Sequence, residues 1–255
     1  MTLWWREVVG SILTNYVFYV IVSWHLYLVK LLKGKRALKN KWVYKLKTEE
    51  HCSQPRYKAR LLVKGFNQKK GIDFKEIFSL VVKMSSIMVV LRIVASLNLE
   101  IQQLDVKNVF LHGDLEEEIY MEQHEGFGVK GKENLACRLK KSLYSLKQAP
   151  RRWYKHFHSF MLDLRYNRTN SDHCVFFKKF SHGDLIILHL YVNDMLIVGQ
   201  DTNKIEKLKR DLSKSFAMKD LGPAKQILGM KIPGIEQAKN FGCLKKIYWE
   251  SSWEI

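Results

Sequence analysis

The sequence predicts an α+β chain, because apolar residues recur at strand spacing in some stretches and at helix spacing in others. Leu185 to Gly199 joins two β-branched, charge-free runs through the polar pair Asn193-Asp194. That pattern reads as a buried hairpin with Asn-Asp at its tip. Trp153, Phe157, Phe160, Met161 and Leu164 fall on one stripe of a helix that Pro150 opens. Asn203 with Glu206 forms a capping-box pattern ahead of Ile205, Leu208, Leu212 and Phe216, a second inward stripe closed by Gly222-Pro223. At 255 residues the chain has room for one large domain or two small ones.

The elements follow in order from the N-terminus. Val8 to Val29 holds no Lys, Arg, Asp or Glu and is long enough to cross a bilayer, with Lys30, Lys33, Lys35 and Arg36 directly after it. Ser11, Thr14, Asn15, Ser23 and His25 interrupt the run, so a buried helix or a loose leader competes with a membrane span. Lys30 to Lys47 carries eight Lys or Arg and no acid, and Lys41 to Lys47 alternates basic and apolar residues as a half-wet strand does. Arg56, Lys58, Arg60, Lys64, Lys69 and Lys70 continue the surplus around Tyr57 and Phe66, a composition suited to gripping phosphates. A solvated charge face is the plain alternative.

Ser85 and Ser86 offer an N-cap for a helix to about Leu97, with Ile87, Leu91, Val94 and Ala95 on one face. Leu99 to Val106 reads as a strand whose alternation slips at Gln102-Gln103, as a bulge would cause. Asp105 stands near its end between Leu104 and Val106, where an acid is either edge-exposed or a ligand. Asp114, Glu116, Glu117, Glu118, Glu122 and Glu125 crowd together, a block that reads as a solvated face and not as a metal site. Cys52, Cys137, Cys174 and Cys243 form no Cys-x-x-Cys pair, which excludes a zinc ribbon and favours idle thiols in a reducing compartment.

A net charge of +18 points to a polyanion, with nucleic acid first and an anionic membrane surface second. The order from Asp105 is strand, helix, hairpin, helix. A right-handed crossover can return the hairpin beside the first strand, making neighbours of Asp105 and Asp194 across 89 positions. Two acids at adjacent strand ends within a basic surround suit Mg²⁺ and phosphoryl transfer, the substrate phosphates completing the metal shell. Taken alone, Asp194 also suits a plain turn.

Longer motifs narrow this. Tyr57 to Gln68, Gly71 to Phe74, Gln103 to Leu115, Ser142 to Arg151, Trp153-Tyr154, Tyr191 to Asp194 and Met218 to Gly222 resemble, in order, the reverse transcriptase of copia-type retrotransposons. The resemblance runs from about Gly34 to Ile232. It implies the fingers and palm of a right-hand polymerase. Residues 34–97 would be fingers-like and 98–232 a palm, a split βαβ antiparallel sheet backed by helices. Residues 1–33 would be an apolar leader and 233–255 a divergent tail, with the thumb and RNase H regions largely absent.

The resemblance also assigns roles. Asp105 and Asp194 match metal-binding aspartates, with the Val106 carbonyl as a backbone ligand and two Mg²⁺ or Mn²⁺ ions as cofactors. Phe110 takes the place of the aromatic gate that rejects a ribose 2′-hydroxyl, and Gln148 that of the glutamine lying along the incoming nucleotide. Arg60 is the candidate for gripping the triphosphate and Tyr191 for lining the nucleotide site. Lys58, Lys64 and Arg151 are assigned to the nucleic acid. The implied partners are an RNA or DNA template-primer and deoxynucleoside triphosphates. The implied location is cytoplasmic or nuclear, or a membrane if residues 8–29 span one.

Three positions depart from the pattern. Asn193 stands where the family has an aspartate, Ser145 where it has a glycine, and Met88 where an arginine is usual. The lost charge at Asn193 matters most. One unit charge at about 4 Å is worth roughly 4 kcal/mol at an effective dielectric of about 20, and a divalent ion doubles that. Even heavily discounted for water, the loss cuts metal occupancy or turnover by orders of magnitude. The expected activity is therefore weak or absent, and a non-catalytic nucleic-acid binder is the competing reading.

Overall fold

The computed structural model describes residues 26–47, 56–77, 79, 81–124, 128–227 and 230–231. The strands are β1 (Leu26–Val29), β2 (Ala37–Leu38), β3 (Asn40–Lys47), β4 (Arg56–Val63), β5 (Glu100–Val106), β6 (Tyr120–Met121) and β7 (Ala136–Leu139). They continue with β8 (Asn167–Arg168), β9 (Val175–Lys179), β10 (Leu185–Tyr191), β11 (Asp194–Gly199), β12 (Met218–Pro223), β13 (Gln226–Ile227) and β14 (Met230–Lys231). The helices are α1 (Met84–Leu97), α2 (Ala149–Asp163) and α3 (Thr202–Ser215). The chain divides into two compact units, residues 1–79 with 110–156 and residues 80–109 with 157–255. This division differs from a break at residue 97, because α1 and β5 fall in the same unit.

The first unit holds a sheet of order β1-β7-β6-β2 and the separate ribbon β3–β4. Its core gathers Leu26, Leu38, Leu61, Val63, Ile119, Met121, Leu139, Leu143 and Leu146. β1 corrects part of the predicted span: Leu26 to Val29 pair with Leu139 to Ala136, and Leu26 is buried. Backbone groups satisfied across a sheet in this way are not those of a membrane helix. Residues 8–25 lie outside the described residues. No described helix is long and apolar enough to cross a membrane.

In the ribbon, Val43 lies opposite Arg60 and Lys45 opposite Lys58, while Trp42 lies opposite Leu61 and Tyr44 opposite Ala59. Opposite residues share a face, so period-two alternation sorts the cations onto one side and the aromatics onto the other. Leu61 and Val63 anchor the apolar side in the core, and Trp42 stacks on Tyr44 with ring centroids 6.3 Å apart.

The second unit is built on the sheet β12-β5-β11-β10-β9-β8, whose neighbouring strands all run antiparallel. β5 and β10 run the same way with β11 between them. Alternation makes the centre of one face of the sheet apolar: Leu188, Met195, Ile197 and Phe176 are fully buried. Phe157 of α2 closes on Phe176 at 5.7 Å and on Phe216, at the end of α3, at 5.8 Å. Ile205, Leu208 and Leu212 are buried as the α3 stripe predicts.

Five local predictions need correction. The hairpin turns at Val192-Asn193, and Asp194 is already the first residue of β11, paired with Tyr191. Val192 has φ 55, a left-handed conformation that costs a β-branched side chain strain. The register irregularity lies in β12 between Asp220 and Gly222, so β5 itself is regular and Gly222-Pro223 belongs to a strand. α3 is capped by Asp201, whose Oδ1 accepts from the N–H of Asn203 at 2.9 Å and of Lys204 at 3.3 Å. Glu206, the predicted box partner, takes Lys209 at 2.8 Å instead. α1 begins at Met84 without a cap from its own sequence, and Asp172 Oδ2 accepts the Lys83 N–H at 2.7 Å.

Candidate active site

Asp105 and Asp194 are directly opposed on β5 and β11. Opposite residues of an antiparallel pair point to one face with Cβ atoms about 4.5–5.5 Å apart, so the two carboxyl groups share a face and a common reach. The same register puts Tyr191 opposite Asp194 on one side and Lys219 opposite Asp105 on the other. The row across four strands is therefore Tyr191, Asp194, Asp105, Lys219. Sequence reading quoted Lys219 only as part of a motif. Its place beside Asp105 depends on β12 returning to the far edge of β5, which no local signal announces.

Asn193 closes the row from the turn. Its Nδ2 donates to Asp105 Oδ1 at 2.6 Å, and its carbonyl accepts the Val106 N–H at 2.8 Å. Val106 is buried and holds the end of β5 against the hairpin. Asp105 and Asp194 are each half-buried. Burial, and after it the charge of Asp105, raises the Asp194 carboxyl above its ordinary value. A shared cation would relieve both causes. Two carboxylates of this kind fit a hard divalent ion. Among the described residues no group of three or more His, Cys, Asp and Glu gathers, so the row offers two carboxylates and the Asn193 amide.

His189 lies two residues before Tyr191 and on the same face, opposite Leu196 and Val175. It is buried, and neither ring nitrogen has a hydrogen-bond partner. Burial drives its pKa down to about 4 against the pull of Asp172, so it is neutral near pH 7 and lends the acids no charge.

Arg60 and Phe110 meet in the first unit through Tyr144. The Arg60 guanidinium lies 5.5 Å from the Tyr144 ring centroid, and Phe110 meets the same ring edge-on at 5.8 Å. Arg60 Nε is buried without a hydrogen-bond partner. Tyr144 is a member of the motif Ser142 to Arg151 that sequence reading did not single out. Its neighbour Ser145 has φ 69, a conformation in which glycine carries no steric penalty. The serine therefore strains a turn that a glycine would fit.

Gln148 is 1 % exposed, and its amide is engaged. Its Nε2 donates to the Asp73 carbonyl at 3.1 Å, and its Oε1 accepts from Gln68 Nε2 at 3.0 Å. Arg151 is ion-paired with Glu76. Lys58 and Lys64 are half-buried on and just beyond β4.

Four of the six acids of the block, Asp114, Glu116, Glu117 and Glu118, are ion-paired, where the sequence reads a solvated face. Arg152 pairs with Glu116 and with Glu117 at 2.9 Å, Glu118 takes Arg138 at 3.1 Å and Lys35 at 3.5 Å, and Asp114 takes Lys141 at 3.8 Å. Cys137 and Cys174 are buried free thiols, and burial raises both well above the ordinary range, which keeps them unreactive.

In the second unit an antiparallel sheet with a tight hairpin thus sets one aspartate opposite another. The sequence pattern of the reverse transcriptase (RNA-dependent DNA polymerase) family matches residues 23–249, and the chain belongs to that family, in its copia-type retrotransposon branch. It is 68 % identical over 205 residues to the retrovirus-related Pol polyprotein from transposon TNT 1-94 of Nicotiana tabacum, covering 80 % of this chain and 15 % of the relative. Against the Pol polyprotein from transposon RE2 of Arabidopsis thaliana it is 38 % identical over 197 residues, covering 77 % and 14 %. The chain thus spans about one-seventh of the length of these relatives. Among solved structures it is similar to apo telomerase from Candida tropicalis, truncated from the C-terminal domain, with a TM-score of 0.39 at 12 % identity. That match covers 89 % of this chain and 56 % of the telomerase chain.

Proposed function

We propose that the chain is a polymerase domain that adds deoxynucleotides to a primer end along an RNA or DNA template, with turnover held down by Asn193. The observation that carries the reading is the register of Asp105 against Asp194. Asp105 and Asp194, with the Val106 carbonyl, would hold divalent metal, Mg²⁺ or Mn²⁺. Bound there, the ion would neutralise charge developing on the attacking and leaving oxygens. One ion fits two carboxylates and a carbonyl. A second would have to accept the neutral Asn193 amide where the family supplies a charge. Asn193 also spends its N–H on Asp105, which removes one lone pair from the ligand set.

The remaining roles belong to the chain's own side chains. Arg60, with an unpartnered Nε, would grip the triphosphate, and Phe110 would crowd a ribose 2′-hydroxyl. Lys219 would offset the charge of Asp105 while the row is free of metal. Tyr191 would line the nucleotide site beside Asp194. Gln148 can lie along a nucleotide only by exchanging its bond to Asp73. Arg151 can reach a phosphate only by exchanging Glu76, and Lys58 and Lys64 would meet the nucleic acid from the ribbon.

Primer extension by the full chain and by Asn193→Asp tests the reading. The expected result is a Mg²⁺-dependent gain of at least about 100-fold in Asn193→Asp, equivalent to roughly 3 kcal/mol of transition-state stabilisation. Template binding with no incorporation by either chain would replace the enzyme with the non-catalytic binder.

A further inference from the structure

Lys209 of α3 is 7 % exposed, and its Nζ spends its three protons on three different elements. It donates to Gln102 Oε1 of β5 at 3.1 Å, to Glu206 Oε1 of α3 at 2.8 Å and to Asp220 Oδ2 of β12 at 2.9 Å. Asp220 uses its other oxygen on its own strand, where Oδ1 accepts the Gly222 N–H at 2.8 Å. Gly222 stands at φ 72, and between it and Asp220 the pairing of β12 with β5 changes register. Leu221 is the extra residue, 41 % exposed and without an opposite residue on β5.

The registers on either side of that irregularity differ by one residue. Met218, Lys219 and Asp220 lie opposite Val106, Asp105 and Leu104, whereas Gly222 and Pro223 lie opposite Gln103 and Gln102. If the pairing of Gly222 and Pro223 ran on without a break, Leu221 would lie opposite Leu104 and Asp220 opposite Asp105. A slip of one residue exchanges the faces of every side chain it moves. In the observed register a lysine faces Asp105, and Asp220 points to the far side of the sheet, toward α3. In the uninterrupted one an acid faces Asp105 and Lys219 turns away. β12 is an edge strand, so a second ladder does not choose between the two. The buried ammonium of Lys209 does, because it meets its β12 carboxylate only while Asp220 stays on the side of α3.

We propose that Lys209 is a positioning residue that locks the register of β12, so that Lys219 and not Asp220 stands across from Asp105. Fixing one pairing against a near-equal alternative is the best-attested use of a buried ionic group. The lock itself is independent of any chemistry, and its consequence for the metal row rests on the polymerase reading. Without it, Asp220 would join Asp105 and Asp194 as a third carboxylate, and the neutralising lysine would leave the row.

The test is amide hydrogen exchange of the full, metal-free chain, followed residue by residue by nuclear magnetic resonance. The Lys107 N–H donates to the Ala217 carbonyl at 2.7 Å and the Ala224 N–H to the Ile101 carbonyl at 3.0 Å. Alternation therefore turns the Lys219 amide toward β5 and the Asp220 amide away from it. In Lys209→Met, which keeps the apolar stem, protection is expected to pass from Lys219 to Asp220, whereas Lys209→Arg is expected to leave it at Lys219. Deleting Leu221 makes the strand regular in the observed register, so Lys209→Met in that background is expected to fold and to protect Lys219. Protection that stays at Lys219 in Lys209→Met alone, or that vanishes from all of β12, would overturn the assignment. If Lys209→Met alone does not fold, the Leu221 deletion decides: a folded chain with Lys219 protected supports the lock, and an unfolded one overturns it. Mn²⁺ binding is the second readout. The slipped chain is expected to bind the ion roughly 10-fold tighter, and adding Asp220→Asn to Lys209→Met removes that gain. If exchange moves as expected while no chain binds Mn²⁺, the lock stands and the polymerase reading falls. If Asn193→Asp incorporates nucleotides while protection stays at Lys219, the polymerase reading stands and the lock falls.

Discussion

Two acidic regions of this chain are handled in opposite ways. Asp114 to Glu118 are dense in sequence, and the fold gives them Arg152, Arg138, Lys35 and Lys141. Asp105 and Asp194 are far apart in sequence, and the fold sets them face to face with an amide and one exposed lysine for company. Crowding in sequence therefore marks a structural ion-pair network here. The pair proposed to recruit a cation is the one that tertiary pairing makes and leaves short of positive charge.

The largest expected effect comes from altering the short-charged pair. Asn193→Asp adds a third carboxylate to the row, so the same substitution that raises incorporation should lower the melting temperature without metal. Raised melting without metal would remove the like-charge account.

Breaking the neutralised region comes next. Arg152 is buried, with its guanidinium between Glu116 and Glu117. Arg152→Met should cost about 3 kcal/mol in urea unfolding, the usual size for a buried charge left without its partner. A cost under about 0.5 kcal/mol would class these pairs with ordinary surface pairs.

The pH response separates the regions further. His189 has a native pKa depressed from 6.5 to about 4, so between those values the unfolded chain binds the extra proton. Its contribution to stability is lost as pH falls through that window, by up to about 3 kcal/mol. His189→Leu should flatten that slope in denaturation curves. An unchanged slope would mean that the imidazole charges without unfolding.

Asp194 acts with the opposite sign. Its native pKa is raised, so its penalty on the fold is full above that value and fades as pH falls through it. Asp194→Asn should therefore stabilise the metal-free chain at pH 7 by about 1 kcal/mol, the scale of a screened pair near water. Thermal melting at pH 7 and at low pH checks this, and the gain should be absent at the acid end.

Much of this was legible in the residues because it is periodic or local. The β-branched runs of β10 and β11 and the stripes of α2 and α3 announce themselves through spacing, and the burial of Phe157, Leu208 and Leu212 follows from it. The turn was misread by one residue because Asn-Asp looks like better turn chemistry than Val-Asn. The demand for Asp194 in the ladder overrode that preference and left Val192 in a left-handed conformation. Asp172 capping the start of α1 joins positions 89 residues apart, and the pairing that sets Lys219 beside Asp105 joins positions still farther apart in sequence. No window along the chain contains such pairs. Gln148 was legible as part of a motif, but its burial against Gln68 and Asp73 was not.

The most direct measurement is Mn²⁺ binding by the full chain, read from the loss of the free-ion paramagnetic resonance signal, in Asp194→Asn and in Glu116→Gln with Glu117→Gln. The account predicts binding that Asp194→Asn abolishes and that the paired glutamines leave intact. Binding that survives Asp194→Asn, or that disappears with Glu116 and Glu117, would contradict it.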